Sequence, residues 1–279
     1  MKTTPTIALV TGASSGIGRA TVLTLLRQRY VVYAAARRTD AMRDLQAAGA
    51  HLLYLDLTDA DSIARAVETI HTEAGPVDVL VNNAGYGAYG ALEDMPLDEA
   101  RRQFEVNVFG LADLTRRVLP AMRERRSGRI INVGSIGGRT WSLFGTWYQA
   151  TKFALEGFSD CLRNELRPLG IQVVLIRPGS IKTEWAQLAA NNLMAVSGNG
   201  PYGAMAQAAA RFYVETDQRQ GADPQVIANA IWQAVSARRP RARYTAPAAA
   251  RAVIGLRWLL PDSLFDRLWG SFFGIPKTT

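Results

Sequence analysis

Cysteine and histidine are almost missing: the 279 residues include one cysteine, Cys161, and two histidines, His51 and His71. A lone cysteine excludes an intramolecular disulfide framework and any cysteine-built zinc or iron–sulfur site. Two histidines are too few for a histidine-rich metal centre, and a Ser-His-Asp hydrolase would have to recruit one of them. No metal is expected. Long apolar runs are lacking too. Nothing approaches the roughly 18 consecutive apolar residues of a spanning helix. The stretch 7–10 is too short for a signal-peptide core. A reducing, cytoplasmic setting is the expectation. Acidic residues fall short of basic ones, 24 against 32, for a net charge of +8. Eight of the basic residues but only two acids, Asp262 and Asp266, lie in 237–279. That excess suits a nucleic-acid or acidic membrane surface, or a solvated face. The solvated face is the expectation, with no nucleic-acid partner.

What is present is a globular composition, 48% hydrophobic and 20% charged, which excludes disorder over most of the chain. Short β-branched runs alternate with longer helical stretches. Runs at 6–11, 31–36, 51–55, 77–81, 129–133 and 171–176 read as strands, and 241–246 as a last one. Between them, 16–29, 59–72, 97–125 and 147–167 have helical spacing. Gly75-Pro76 stops the second helix, and Pro168 with Gly170 the fourth. The strands are continuously apolar, as expected when helices cover both faces of a sheet. The alternation predicts an α/β fold of Rossmann type, a doubly wound parallel sheet with helices on both faces. Right-handed crossovers then gather the C-terminal strand ends on one edge, where ligands bind. Residues 184–222 are too long for a structureless connection and predict a helical substrate lid. One domain is expected over 1–247, with 248–279 as its amphipathic extension.

After the first strand, Thr11-Gly12-Ala13-Ser14-Ser15-Gly16-Ile17-Gly18 forms a glycine-rich turn into a helix. Gly12 permits a sharp turn, Gly16 close approach to a pyrophosphate, and Gly18 close packing of helix on sheet. The helix start offers free N–H groups and a positive dipole. The Gly-x3-Gly-x-Gly spacing differs from the common dinucleotide fingerprint. The position after strand 2 says more. Arg37 and Arg38 stand where NAD sites carry an acid for the ribose hydroxyls. Two guanidinium groups suit a phosphate instead, so NADP(H) is the implied cofactor. A solvated arginine pair is the plain alternative. Asp56, with Leu57 beside it, ends the third strand and suits the adenine amino group or a turn cap.

Tyr148 and Lys152 are four residues apart on a predicted helix and share a face. A nearby ammonium stabilises a phenolate and lowers the tyrosine pKa, which suits an acid or base near neutral pH. Ser135, thirteen residues earlier, is placed to donate to a substrate carbonyl oxygen. A bare Tyr-x3-Lys arises by chance on many helices. Here it comes with Thr11-Gly-x3-Gly-x-Gly, Asn82-Asn83-Ala84-Gly85, Asn107 and Pro178-Gly179, in one order. The combination resembles the short-chain dehydrogenase/reductase family in its single-domain form, over about 5–185 in motifs and 5–247 in architecture. The segments at 37–40, 83–87, 152–157 and 177–183 resemble the 17β-hydroxysteroid-dehydrogenase-like branch. The resemblance implies Tyr148 as proton donor or base, Lys152 lowering its pKa and binding the nicotinamide ribose, and Ser135 polarising the substrate oxygen. It implies that Asn107 interrupts the helix 97–125 and holds a water that relays protons to Lys152. Asn83, Ala84 and Gly85 would run along the cofactor ribose. Pro178, Gly179, Ile181 and Thr183 would hold the nicotinamide so that hydride leaves its pro-S face. A homodimer or homotetramer, paired through helices near 97–125 and 148–167, is implied as well.

Aromatic residues gather where the family's substrate loops fall: Tyr86, Tyr89, Trp141, Phe144, Trp147 and Trp185. They suggest an apolar pocket walled by Tyr86, Trp141, Phe144 and Trp185, or core packing for half of them. The tail from Pro247 carries leucines and aromatics broken by Pro261. It is expected to cover the pocket or a subunit surface, with a membrane surface as the alternative. Cys161 is expected packed or at a dimer contact. The expected reaction interconverts a hydrophobic ketone or aldehyde and its alcohol with NADP(H). The alternatives are an NADPH-binding sensor or scaffold without turnover, and a peripheral membrane reductase of lipid, steroid or retinoid substrates.

Overall fold

The computed structural model describes residues 5–273; Lys277 of the basic tail lies outside them. The chain runs through β1 (Ile7–Thr11), α1 (Gly16–Arg27), β2 (Val31–Ala36), α2 (Arg43–Ala47), β3 (His51–Tyr54), α3 (Ala60–Glu73) and β4 (Val79–Asn82). It continues through α4 (Leu97–Phe104), α5 (Leu111–Glu124), β5 (Gly128–Val133), α6 (Thr146–Leu166) and β6 (Ile171–Pro178). Then come α7 (Trp185–Ser197), α8 (Gly203–Gln220), α9 (Pro224–Ser236), β7 (Arg243–Ala246), α10 (Ala248–Leu259) and α11 (Asp262–Phe272). Seven parallel strands form one sheet in the order β3-β2-β1-β4-β5-β6-β7. This is the doubly wound Rossmann-type fold that the alternation predicts.

β1 shows why its run is apolar throughout. All five residues are buried, and successive side chains point to opposite faces. Ala8 and Val10 join Val22 and Leu25 of α1 and Ile227 and Ile231 of α9. Ile7 and Leu9 join Ile63 and Ile70 of α3 and Leu114 and Val118 of α5. Each face therefore has its own core. A third cluster, around Tyr89, Phe144 and Leu193, lies under α7 and α8.

The elements differ from the sequence reading where local pattern is silent. α2 has five residues, too few to show a period. α9 starts at an Asp223-Pro224 cap, with Asp223 Oδ1 accepting from Gln225 N at 2.7 Å, a start signal local to the sequence. The stretch 97–125 is two helices joined by a π turn at Glu105–Gly110. At its end Gly110 presses on the loop after β3, where a Cβ would stand 2.1 Å from Leu57 O. The basic tail divides. Arg238, Arg239 and Arg241 precede β7, at the sheet edge away from the ligand edge, while Arg251, Arg257 and Arg267 follow it. Cys161 is exposed rather than packed, because it falls on an outward position of α6. Among the described residues no helix is long and apolar enough to cross a membrane, and no His/Cys/Asp/Glu cluster could hold a metal.

Candidate active site

Strand order reverses between β1 and β4, and a cleft of about 790 Å³ opens at the C-terminal strand edge. Its floor is the turn after β1. Gly12 and Gly16 have φ of +66° and +52°, which glycine adopts without steric cost. A Cβ on Gly18 would stand 2.3 Å from Gly12 O. Asn83 braces the turn, donating from Nδ2 to Thr11 O at 3.0 Å and Gly12 O at 3.3 Å. Thr11 Oγ1 accepts from the backbone N of Asn83 and of Ala84, each at 3.0 Å. Ser15 starts α1 without a side-chain cap bond, so the first N–H groups remain available to an anion. A Cβ on Gly16 would meet Thr183 Cγ2 at 2.9 Å. Positions 12, 16 and 18 of the cradle thus admit only glycine, and the exposed N–H groups fit the pyrophosphate of a dinucleotide.

Arg37, Arg38, Asp56 and Leu57 line the adjoining end. Arg38 Nη2 lies 3.5 Å from Ser14 Oγ and 3.7 Å from Glu184 Oε2. Burial pushes the Asp56 carboxyl up, but two donors from Thr58 and the Arg37 charge outweigh it and hold it below the usual range.

At the other end, α6 presents Tyr148 and Lys152 one turn apart, facing the turn after β5 that carries Ser135. Ser135 Oγ accepts from Gly137 N at 3.0 Å. The Tyr148 ring packs 5.3 Å from Trp185 and 5.7 Å from Tyr89. Lys152 Nζ donates to Val133 O at 3.1 Å and stands 5.7 Å from the Tyr148 ring centre. Burial pushes Tyr148 up to about 12, opposed by the Ser135 hydroxyl. Burial also pushes Lys152 down to about 8. Desolvation dominates both shifts, and the Lys152 ammonium lies closer to the Val133 carbonyl than to the Tyr148 ring. Asn107, in the π turn, donates from Nδ2 to Tyr86 O at 2.9 Å and Thr151 Oγ1 at 3.1 Å. Its Oδ1 accepts from Tyr86 N at 3.1 Å. It fastens the loop after β4 to α6. A neutral phenol, a hydroxyl and an ammonium converge here, at the aromatic end of a dinucleotide-sized cleft.

The family model for short chain dehydrogenase matches residues 6–193. The chain belongs to that family. It is an oxidoreductase of the short-chain dehydrogenase type. It is 35% identical to a probable short-chain type dehydrogenase/reductase, VdlC, of Helicobacter pylori, over 94% of this chain and 96% of that one. It is 34% identical to 3-ketodihydrosphingosine reductase of Bacteroides thetaiotaomicron, over 97% and 99%. A solved short-chain dehydrogenase from Streptomyces avermitilis superposes with a TM-score of 0.80 at 35% identity, covering 97% of each chain. Actinorhodin polyketide ketoreductase with NADPH gives 0.71 at 30% identity, over 83% of this chain and 91% of its own. A Burkholderia phymatum protein in complex with NAD gives 0.80 at 24% identity, over 92% and 94%, and shows the fold alone.

Within the dehydrogenase cleft the structure brings together most of the residues that the sequence singles out. Gly12, Ser14, Ser15, Gly16, Ile17, Ala84 and Gly85 line it, with Pro178, Gly179, Ile181 and Thr183 opposite. Gly18 and Asn107 stand behind it as supports. Asn83 contributes backbone, since its side chain is spent on the glycine-rich turn after β1. Tyr86 and Trp185 are walls, but Trp141 and Phe144 lie outside the cleft lining. Trp141 Nε1 donates to Asp266 Oδ1 at 2.7 Å and anchors the tail. Phe144 is buried in the third cluster, edge-on to Tyr202. Sequence reasoning missed Leu188, Phe212 and Tyr213, which complete the wall. No local motif marks them; only the packing of α7 and α8 brings them to the cleft. It also missed buried Glu156, which Arg177 grips through Nε at 2.6 Å and Nη2 at 2.5 Å.

Proposed function

We propose that this dehydrogenase reduces a hydrophobic ketone or aldehyde with NADPH, reversibly, with Tyr148 exchanging the proton. The observation that carries the reading is the meeting of Ser135, Tyr148 and Lys152 at the aromatic end of the cleft. Bound nicotinamide supplies the hydride. Ser135 holds the substrate oxygen, Tyr148 gives it a proton, and the Lys152 ammonium stabilises the phenolate left behind. Asn107 keeps the loop after β4 in place, and the 178–183 turn holds the carboxamide end. Arg37 and Arg38 favour NADPH over NADH, since no acid occupies their position. The ketoreductase that holds NADPH and the Bacteroides enzyme named for a 3-keto substrate support the same reading. α7 and α8 serve as the substrate lid. The 37–40 and 177–183 segments favour the 17β-hydroxysteroid-dehydrogenase-like branch. We infer pairing of two copies through α4–α6, supported by exposed Phe109 and Phe153.

The test is NADPH consumption over a panel of hydrophobic ketones and aldehydes, with Tyr148→Phe beside the wild type. Turnover in the wild type, lost by about 10²–10⁴-fold in the variant with NADPH binding kept, is the expected outcome. Equal rates in the two proteins would remove Tyr148 from the mechanism.

A further inference from the structure

The C-terminal helices carry more apolar surface than their packing uses. On α11 and the residue after it, Phe265, Trp269 and Phe273 recur every four residues and turn toward the body. Phe265 and Phe273 are buried, and Trp269 Nε1 donates to Trp141 O at 2.8 Å. The Phe273 ring lies 4.6 Å from Phe212, which lines the cleft. Leu264, Leu268 and Phe272 recur at the same interval one position earlier, and all three are exposed. Leu256, Trp258 and Leu259 at the end of α10 are exposed as well, Trp258 at 84%. Among the described residues, six of the thirteen exposed large hydrophobic side chains thus fall within 256–272, a density that marks an interaction face rather than scatter.

Charge decides the partner. Asp262 is paired with Arg257, while Asp266 accepts from the neutral Trp141 indole and keeps its charge, so α10 and α11 carry three arginines against two carboxylates. Arg251 and Arg267 are exposed and have no carboxylate within ion-pair distance among the described residues. In a two-fold pairing of this face, the same cations would recur on both partners at one interface. An anionic lipid surface compensates them instead, with leucines in the acyl boundary and the indole at headgroup level. We propose that α10 and α11 dock this protein on the interfacial layer of an anionic bilayer. The docking lies one aromatic layer from the cleft, through Phe273 and Phe212. If the reductase reading holds, an apolar substrate reaches Tyr148 from the bilayer side.

The experiment sediments the full chain with phosphatidylcholine vesicles, with and without phosphatidylglycerol. Wild type is compared with L264S/L268S/F272S and with R251Q/R267Q. Because the leucines, Phe272 and both arginines already stand in solvent, melting temperature and NADPH binding should match wild type. Binding to the anionic vesicles is expected, weakened about tenfold or more by the triple substitution and made salt-insensitive by the arginine pair. Absence of binding to either vesicle, or binding that ignores the triple substitution, overturns the proposal. So does a triple variant of lower oligomeric mass when wild type ignores vesicles, since a second copy then covers the face. Lack of ketone turnover alongside intact vesicle binding would sink the reductase reading and leave the docking standing.

Discussion

Tyr148 and Lys152 are both buried, and burial drives each toward its neutral form. For Lys152 the folded pKa, about 8, lies below the ordinary value of 10.5. Below pH 8 the folded protein therefore carries a buried charge that the unfolded chain keeps in water. The penalty is about 3 kcal/mol. It fades as pH rises from 8 toward 10.5. Lys152→Met should accordingly raise the denaturation midpoint at pH 7, with the gain shrinking above pH 8, while turnover collapses. A variant that loses stability at pH 7 would show that the Val133 hydrogen bond outweighs desolvation. If the ammonium serves the reaction, wild-type reduction should also decline as pH rises through 8. Cofactor choice belongs to the same scale. Arg37→Asp combined with Arg38→Ser should weaken NADPH binding far more than NADH binding, measured by fluorescence titration. Equal weakening of both would mean that the pair reads no 2′-phosphate. These positions were legible in sequence because glycine spacing and i, i+4 placement are local. The burial that drives both shifts was not, since desolvation depends on which elements close over the site.

Between elements, one buried carboxylate joins α6 to the end of β6. Glu156 receives Arg177 in a two-point grip, and Arg139 and Arg243 approach it at 3.4 Å. β6 leads directly into the 178–183 turn of the cleft, so the pair fixes that turn's height. Removing one partner of such a pair leaves the other buried and uncompensated. Glu156→Gln should cost about 3 kcal/mol in urea unfolding. Glu156→Gln with Arg177→Met should recover part of that loss; no recovery would assign the cost to Arg139 and Arg243. Nothing in the spacing of these residues announces the pair, because they are twenty-one positions apart. The π turn is half legible. An asparagine in a long amphipathic stretch looks ordinary, and only the family resemblance singles out Asn107. Its three bonds to Tyr86 and Thr151 depend on a loop and a helix that periodicity does not bring together.

At the scale of the whole molecule, two apolar faces of the described residues remain outside the cores. The α4–α6 face carries Phe109 and Phe153. If two copies pair here as proposed, Phe109→Ser with Phe153→Ser should lower the mass found by sedimentation velocity from that of two chains to that of one, and a wild type that already sediments as one chain would remove the pairing. The fold itself was determined by the sequence. Continuous apolar strands need cover on both faces, alternating helices supply it, and chirality fixes the crossovers, so the ligand edge follows. The glycine-rich turn, Arg37-Arg38 and Tyr148-x3-Lys152 were determined likewise, each being a short stretch whose chemistry is set by near neighbours. Tertiary structure alone decided the wall of the cleft. It put Phe212 and Tyr213 there, sent Trp141 to the tail and Phe144 into the core, and sorted α11 into one packed and one exposed stripe. The reason is physical: an aromatic side chain is equally satisfied by any apolar neighbour, so its place is set by the packing of distant elements and not by its own sequence.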